Sequence, residues 1–174
     1  CPYLCNRRNH KKKRRGKKPE RVMNPDRMNI ALRPLGATNK TRYRHFEADT
    51  AVAPKRANNT NAVAIATERK SKLVLGTKIS SLSPREMIRA MKIFQRKAYM
   101  RSATTDNGIE NRYHRQWGTP TYFADPHSPW QKPLVENTIG LLRRWFFKKG
   151  TDWSTVSQRQ LQNALSIINN KYRK

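Results

Sequence analysis

The chain has 174 residues, with 38 Lys and Arg against 11 Asp and Glu, which leaves a formal net charge of +27. This length is enough for one domain with a hydrophobic core, and the charge indicates a polyanionic partner, most often nucleic acid. No apolar run approaches the roughly 20 residues that a membrane-spanning helix needs. We expect no signal peptide, because the first residues are polar and basic. An acidic membrane surface is the weaker alternative partner.

Residues 1–41 are predicted to be a flexible basic arm or linker. The run KKKRRGKK at residues 11–18 has no apolar periodicity and repels itself, which favours disorder. Such a segment binds along DNA phosphates; the alternative is a solvated linker without a DNA-binding role. The basic residues that we expect to contact phosphates are Lys11, Lys12, Lys13, Arg14 and Arg15.

The two cysteines, Cys1 and Cys5, lie at the start of this arm. Two cysteines in a basic chain of this kind do not form a disulfide framework. With His10 they make zinc binding a minor alternative, since a fourth ligand and the usual paired spacing are both missing.

From about residue 42 the pattern changes to alternating strands and helices. Three strands are predicted, at residues 44–53 (RHFEADTAVA), 61–68 (NAVAIATE) and 72–79 (KLVLGTKI). The turn-like ERKS joins the last two strands in a hairpin. Residues 83–94 then predict a helix that opens with a capping box, with Ser83 as N-cap, Pro84 at N1 and Glu86 at N3. Its apolar stripe consists of Met87, Ala90, Met91 and Phe94.

The second half continues this alternation. Residues 99–106 and 120–125 predict short strands, and residues 108–117 predict a short helix between them. Residues 134–146 (LVENTIGLLRRWF) predict an amphipathic helix. A last helix starts near Ser157, with an inward face of Leu161, Ala164, Leu165 and Ile168. The order predicts an α/β fold in which helices flank a mixed sheet of three antiparallel strands and two further strands.

Three acids stand where no local role explains them. Asp49 lies within a predicted strand, where Asp is a poor strand former. Asp106 ends another strand, and Glu136 opens the helix at residues 134–146. Carboxylate clusters bind Mg²⁺ or Mn²⁺, and two such ions promote phosphodiester chemistry. The alternative is three unrelated surface acids that pair with the abundant Lys and Arg.

Other acids have simple structural interpretations. Glu86 completes a helix cap and Asp152 is a second capping residue. Glu68 lies in the predicted hairpin, and Glu110 lies in the first turn of a short helix, where its charge suits the helix dipole.

Seven segments, in this order, resemble the catalytic core of the insertion-sequence-thirty family of bacterial DDE transposases: HFEADT, ERKSKLVL, TTDNGIE, YFADPHSPWQ, ENTIGLLRRWF, KKGTDWS and NNKYRK. The resemblance covers about residues 42–174 and implies a DDE integrase-type core, truncated at its C-terminus. It implies a ribonuclease-H-like fold, shared with retroviral integrases. It also implies that Asp49, Asp106 and Glu136 are the catalytic triad and together hold two Mg²⁺ or Mn²⁺ ions.

The same resemblance assigns DNA-binding residues. Gly140 and Arg143 share the helix face of Glu136, so that Gly140 lets DNA approach and Arg143 contacts a phosphate. The alternatives are tight helix packing at Gly140 and core packing of Trp130. The full set of motif residues expected at the DNA is Asn107, Trp130, Gln131, Asn137, Gly140, Arg143 and Arg144.

Within the core, the chain departs from the family pattern in the Asp106–Glu136 spacing and in the approach to Glu136. Asp106 and Glu136 are 30 positions apart, which is a few fewer than the family usually has. The segment KPLVEN also replaces a more polar, glycine-containing approach to the glutamate.

The implied function is metal-dependent cleavage of DNA at the ends of an insertion element and strand transfer into target DNA. The implied partners are the element's inverted-repeat ends and the target DNA, bound by a homodimer in the bacterial cytoplasm at the nucleoid. Two alternatives remain open. One is a catalytically inactive remnant that coats DNA, and the other is a basic RNA-binding protein of ribosomal type.

Overall fold

The structure is a computed structural model that describes residue 24 and residues 26–54 and 59–171. The predicted phosphate-binding run at residues 11–15 and the cysteines with His10 lie outside these residues. Within the described part, no helix is both long and apolar enough to cross a membrane.

A six-stranded mixed sheet forms the centre of the molecule. Its strands are β1 (Met28–Asn29), β2 (His45–Val52), β3 (Ala62–Glu68), β4 (Val74–Ile79), β5 (Ser102–Thr105) and β6 (Thr121–Phe123). They lie in the order β1-β6-β5-β2-β3-β4. As predicted, β2, β3 and β4 are antiparallel neighbours. The two further strands are parallel to their neighbours, since β5 pairs with β2 and β6 pairs with β5.

In the described residues, four α-helices accompany the sheet: α1 (Leu35–Thr38), α2 (Pro84–Lys97), α3 (Pro133–Trp145) and α4 (Gln158–Asn170). The apolar stripe of α2 packs against one face, and α3 and α4 cover the other. Side chains alternate along a strand, so Phe46 and Ala48 of β2 join the α2 cluster while Ala51 joins the α3 cluster. The same alternation directs Glu47 and Asp49 towards α3.

One predicted helix was wrong. Residues 108–117 form two 3-10 turns, Ile109–Asn111 and His114–Trp117, instead of one helix. The Asn111 side chain donates back to Asp106, and Gly118 at φ +65° ends the second turn, so both ends favour tight turns over a continuous helix.

The capping box at α2 is only half formed. Ser83 Oγ accepts from the Glu86 N–H at 3.3 Å, but the Glu86 carboxylate accepts from the Ser80 N–H at 3.0 Å instead of from Ser83. A complete box opens α4, where Ser157 and Gln160 each accept from the other's backbone N–H.

An edge strand lies within the predicted arm. Met28–Asn29 pairs in parallel with Tyr122 and Phe123 of β6, and Ala37 of α1 is buried. The predicted division of the chain at residue 42 stays a prediction, and the described part of the arm contacts the sheet.

Candidate active site

Two of the three acids without a local role, Asp49 and Asp106, contact the same cation, the Lys132 ammonium. Asp49 lies in β2, and Asp106 directly follows β5, the parallel neighbour of β2. The Lys132 Nζ lies 2.8 Å from Asp49 Oδ2 and 3.4 Å from Asp106 Oδ2. The Lys132 side chain is only 7% exposed. The parallel pairing of β2 and β5 therefore brings together two carboxylates that are far apart in the sequence.

In each aspartate, Oδ1 accepts hydrogen bonds from nearby groups and Oδ2 contacts the Lys132 ammonium. Asp49 Oδ1 accepts from the Thr50 N–H at 2.8 Å. Asp106 Oδ1 accepts from the Gly108 N–H at 3.2 Å and from the Asn111 side chain at 3.0 Å. These bonds fix the carboxylate planes, so that both Oδ2 atoms face Lys132.

Glu136 shares a pocket with Asp49. It is exposed in the first turn of α3, four residues after Lys132. With Asp49, Gly140 and Arg143 it lines an open pocket of about 340 Å³. In the described part of the chain, however, no three His, Cys, Asp or Glu side chains form a group that could hold a metal ion. The triad as a metal site stays a prediction.

A fourth acid, Glu47, positions the helix that carries Glu136. Glu47 is fully buried, and its Oε2 accepts from the N–H groups of Leu134 at 2.8 Å and Val135 at 3.1 Å. The first N–H groups of a helix lack partners within the helix, and the N-cap residue Lys132 makes no side-chain capping bond. Glu47 therefore supplies from β2 the cap that α3 lacks locally.

Arg69 holds Glu47 in place. Its Nη1 pairs with Glu47 Oε1 in a buried salt bridge, and its Nε donates to the Ala37 carbonyl at 2.7 Å. Burial raises the pKa of Glu47, and the Arg69 charge and the two backbone donors of α3 oppose that rise. The salt bridge thus links α1, the β3–β4 hairpin and the start of α3.

Charge also shapes the pKa of Lys132 and Glu110. Burial disfavours the Lys132 ammonium, but Asp49 and Asp106 together outweigh burial and raise its pKa above the ordinary value. Glu110 is largely buried and accepts from Thr50 Oγ1 at 3.1 Å. Burial raises the Glu110 pKa, and the negative charges of Asp106 and Asp49 raise it further. A carboxylate assigned only a helix-dipole role thus lies close to both aspartates.

Sequence reasoning missed Glu47 and Lys132, although each carried a signal. Glu47 shares a strand face with Asp49, so a helix-covered face had to accommodate two acids. Lys132 directly precedes Pro133, which is a favoured first residue of a helix. That position places it at the N-terminus of the helix that presents Glu136.

The alternatives for two predicted DNA-binding residues were wrong. A Cβ built on Gly140 meets nothing within 4 Å, so tight helix packing does not explain this glycine. Trp130 is 71% exposed, so it is not a core residue. Arg143 lines the pocket of Glu136, and Arg144 is exposed nearby in the last turn of α3.

The other predicted DNA contacts lie away from that pocket. The Asn107 side chain donates to the Ala124 carbonyl at 3.1 Å. Gln131 is held by Asp125, accepting from its N–H at 2.7 Å and donating to its Oδ2 at 2.9 Å. Asn137 is exposed but lines a separate pocket with Thr138, Leu141 and Trp145. Their contacts with DNA stay predictions.

Two simple interpretations agree with the structure. The Glu68 carboxylate accepts from the N–H groups of Arg44, Lys70 and Ser71 and so fixes the hairpin turn. Asp152 Oδ1 accepts from the Ser154 N–H at 2.8 Å, as a capping residue does in a turn.

Comparison with known proteins finds relatives that are transposases for insertion sequence elements. The chain is 35% identical over 157 residues, 86% of its length, to the transposase for insertion sequence element IS1086 of Cupriavidus metallidurans. It is 29% identical over 78% of its length to the transposase InsI for insertion sequence element IS30A of Escherichia coli. The chain is homologous to insertion-sequence transposases. This confirms the predicted resemblance, although no protein-family model matches the chain.

The homology covers only part of each relative. The chain spans 45% of the first transposase and 36% of the second. Among solved structures, the catalytic core domain of BIV integrase matches with a TM-score of 0.58 and 18% identity, over 75% of this chain and 86% of that one. The predicted ribonuclease-H-like fold of an integrase catalytic core is therefore confirmed.

Proposed function

We propose that this chain carries the catalytic core of a DNA transposase. Its activity is divalent-metal-dependent cleavage of phosphodiester bonds at insertion-element ends and strand transfer into target DNA. The observation that carries the proposal is the meeting of Asp49 and Asp106 on one cation, beside the helix that presents Glu136. Two further findings support the proposal: the chain is homologous to transposases, and it has the fold of an integrase catalytic core.

Asp49, Asp106 and Glu136 would hold two Mg²⁺ or Mn²⁺ ions. The residues fit such ions, because carboxylate oxygens are their preferred ligands and two of the three carboxylates already face one cation. When bound, the ions activate the attacking water or hydroxyl and stabilise the leaving oxygen.

The protein's own groups supply positioning. The bonds to Thr50, Gly108 and Asn111 keep one oxygen of each aspartate fixed. Arg143, in the same pocket, binds a phosphate with its guanidinium. The open space at Gly140 admits the DNA backbone next to Glu136. Fixed groups of this kind lower the entropic cost of reaching an in-line geometry.

The proposal extends to partners and place. The net charge of +27 suits DNA, both as the element's ends and as the target. Acting on two paired ends requires two active sites, which a homodimer on DNA provides. The setting is the bacterial cytoplasm, at the nucleoid.

Calorimetric titration with Mn²⁺ tests the metal site directly. Asp106→Asn should lose the saturable binding that the unmodified chain shows. Asp125→Asn is the matched control, because Asp125 follows β6 much as Asp106 follows β5, yet it pairs with Asn29 and Gln131 outside the pocket. That control should bind as the unmodified chain does.

Strand-transfer assays complete the test. Asp49→Asn, Asp106→Asn and Glu136→Gln should each abolish transfer while DNA affinity is kept. Equal Mn²⁺ binding by the unmodified chain, Asp106→Asn and Asp125→Asn would overturn the proposal, and so would full strand transfer by any triad variant. Either result would favour a protein that coats DNA, which needs no metal.

A further inference from the structure

The cation between Asp49 and Asp106 belongs to the protein itself. The Lys132 Nζ contacts one oxygen of each carboxylate, and its side chain is almost fully buried. The N-terminal end of α3 holds its backbone, since Lys132 is the N-cap residue and Pro133 follows it. Nothing in the triad assignment requires a lysine here.

Electrostatics explains what the ammonium does. Two carboxylates at one site repel each other unless a positive charge lies between them. Lys132 supplies that charge from a buried side chain, and its removal leaves the partly exposed Asp49 and Asp106 carboxylates facing each other without a counter-charge. The lysine therefore holds the two aspartates facing each other when no other cation is present.

A divalent ion needs the same two oxygens. It cannot share their position with an ammonium, because the two cations repel at such short range. The Lys132 ammonium is carried on a flexible four-carbon side chain, and the pocket of Glu136 opens beside Asp49. The ammonium can therefore leave without unfolding the helix.

We propose that Lys132 is the built-in counter-ion of the site: its ammonium holds Asp49 and Asp106 in place until a divalent ion displaces it. The inference rests on the proposed function, because it assigns the displacing ion to the same carboxylates. It adds a residue outside the triad that sets the affinity for the ion and protects the empty site from charge repulsion.

The first test compares the unmodified chain with Lys132→Met, which keeps the length of the side chain and removes its charge. Without metal, the variant should unfold at a lower temperature, since two carboxylates lose their counter-charge. With Mn²⁺, the variant should bind at least about tenfold more tightly in calorimetry, because the ion no longer competes with an ammonium; tenfold corresponds to about 1.4 kcal/mol. Lys148→Met, at an exposed position after α3, should change neither value.

The second test follows the lysine itself. Acylation of lysines, mapped by mass spectrometry, should be slow at Lys132 in the metal-free chain because the amine is buried. Addition of Mn²⁺ should speed acylation at Lys132 and leave Lys148 unchanged. Should Lys132→Met fold poorly, this footprint on the unmodified chain and a Lys132→Gln variant carry the same comparison.

The outcomes separate the two proposals. Equal Mn²⁺ affinity in the chain and in Lys132→Met would overturn displacement and leave the metal site standing. Binding by Lys132→Met alone would mean that the lysine never leaves, which also overturns displacement. Mn²⁺ binding by neither protein would overturn the proposed metal-dependent function and the displacement with it.

Discussion

The helices α2 and α3 begin in opposite ways. α2 is capped by the residue next to it in sequence, since Ser83 Oγ accepts from the Glu86 N–H. α3 has no local side-chain cap, and its start is held by Glu47, which lies 87 and 88 positions before the two N–H groups that it accepts from. A helix that only packs is thus placed by its own sequence. The helix that presents Glu136 is placed by the strand that carries Asp49.

The surroundings of the two helices differ in the same sense. α2 buries Met87, Met91 and Phe94 in a hydrophobic cluster. The start of α3 lies against the Glu47–Arg69 salt bridge and the Lys132 contacts. The hydrophobic effect is non-directional, whereas buried charges depend on specific partners. The α3 side should therefore be the more sensitive side to single substitutions.

The largest effect is expected from Glu47→Ala. The substitution leaves Arg69 buried without its carboxylate and leaves the N–H groups of Leu134 and Val135 without an acceptor. We expect a loss of about 3–5 kcal/mol in the free energy of unfolding, the usual cost of breaking a buried pair. Urea unfolding measures it, and Glu47→Gln provides a milder variant if the alanine protein does not fold.

The double variant Glu47→Ala/Arg69→Met is the control for charge. Replacement of both members of a buried pair is often close to neutral, so the double variant should regain much of the loss. A double variant as unstable as Glu47→Ala would show that the loss comes from packing and from the missing acceptor for Leu134 and Val135, not from the unpaired charge.

Ser83→Ala makes the matching change at α2. Loss of a serine N-cap costs about 1 kcal/mol, and no buried charge is left behind. The urea midpoint should therefore shift much less than for Glu47→Ala. Equal losses at the two helix starts would contradict the proposed difference between local and distant capping.

Gly140→Ala tests a difference within the two helices, because α2 contains no glycine and α3 carries one on its exposed face. Alanine there should raise stability by about 0.8–1 kcal/mol, the difference in helix propensity. It should also weaken binding to duplex DNA, since the added methyl fills the open space next to Glu136. Fluorescence anisotropy at fixed salt measures that affinity.

Asn163→Ala is the control for this change. Asn163 is exposed in α4, outside the pocket of Glu136, and alanine there also improves helix propensity. It should stabilise the chain without altering DNA affinity. If Gly140→Ala binds DNA as tightly as this control, the glycine does not serve DNA approach.

The smallest effect concerns Glu110, a buried glutamate without the arginine partner that Glu47 has. Its raised pKa means that folding favours the protonated form, so the charged form destabilises the fold at pH values above that pKa. Glu110→Gln should therefore raise the melting temperature near neutral pH. The gain should shrink as pH falls through the raised pKa, where the wild-type side chain takes up its proton. A gain that is constant with pH would assign the effect to packing.

Most of the fold followed from periodicity and turn chemistry. The alternation of β2 and the 3.6-residue stripes of α2 and α4 are strong local signals, and all three appear where they were predicted. The edge strand Met28–Asn29 was not predictable in this way. Two residues have no period, and this strand exists only because β6 offers an open edge.

The residues of the candidate site also differ in how far the sequence predicted them. Asp49, Asp106 and Glu136 were selected because each lacked a local role and each matched a family motif. Lys132 contacts Asp49, 83 positions away, and Glu47 accepts from Leu134, 87 positions away, and no local pattern encodes such pairing. Gln131 makes two hydrogen bonds with Asp125, which is only six positions away. This pairing is local, but nothing in the motif distinguishes a glutamine that binds Asp125 from one that contacts DNA.

The salt bridge between Glu47 and Arg69 also limits how this sequence can change over time. A lineage that loses either residue alone passes through a protein with a lone buried charge and a loosened start of α3. Such an intermediate is unstable enough to be removed by selection before the second change arises. Positions 47 and 69 should therefore be replaced together or not at all, and a descendant with an apolar residue at position 69 should carry a neutral one at position 47.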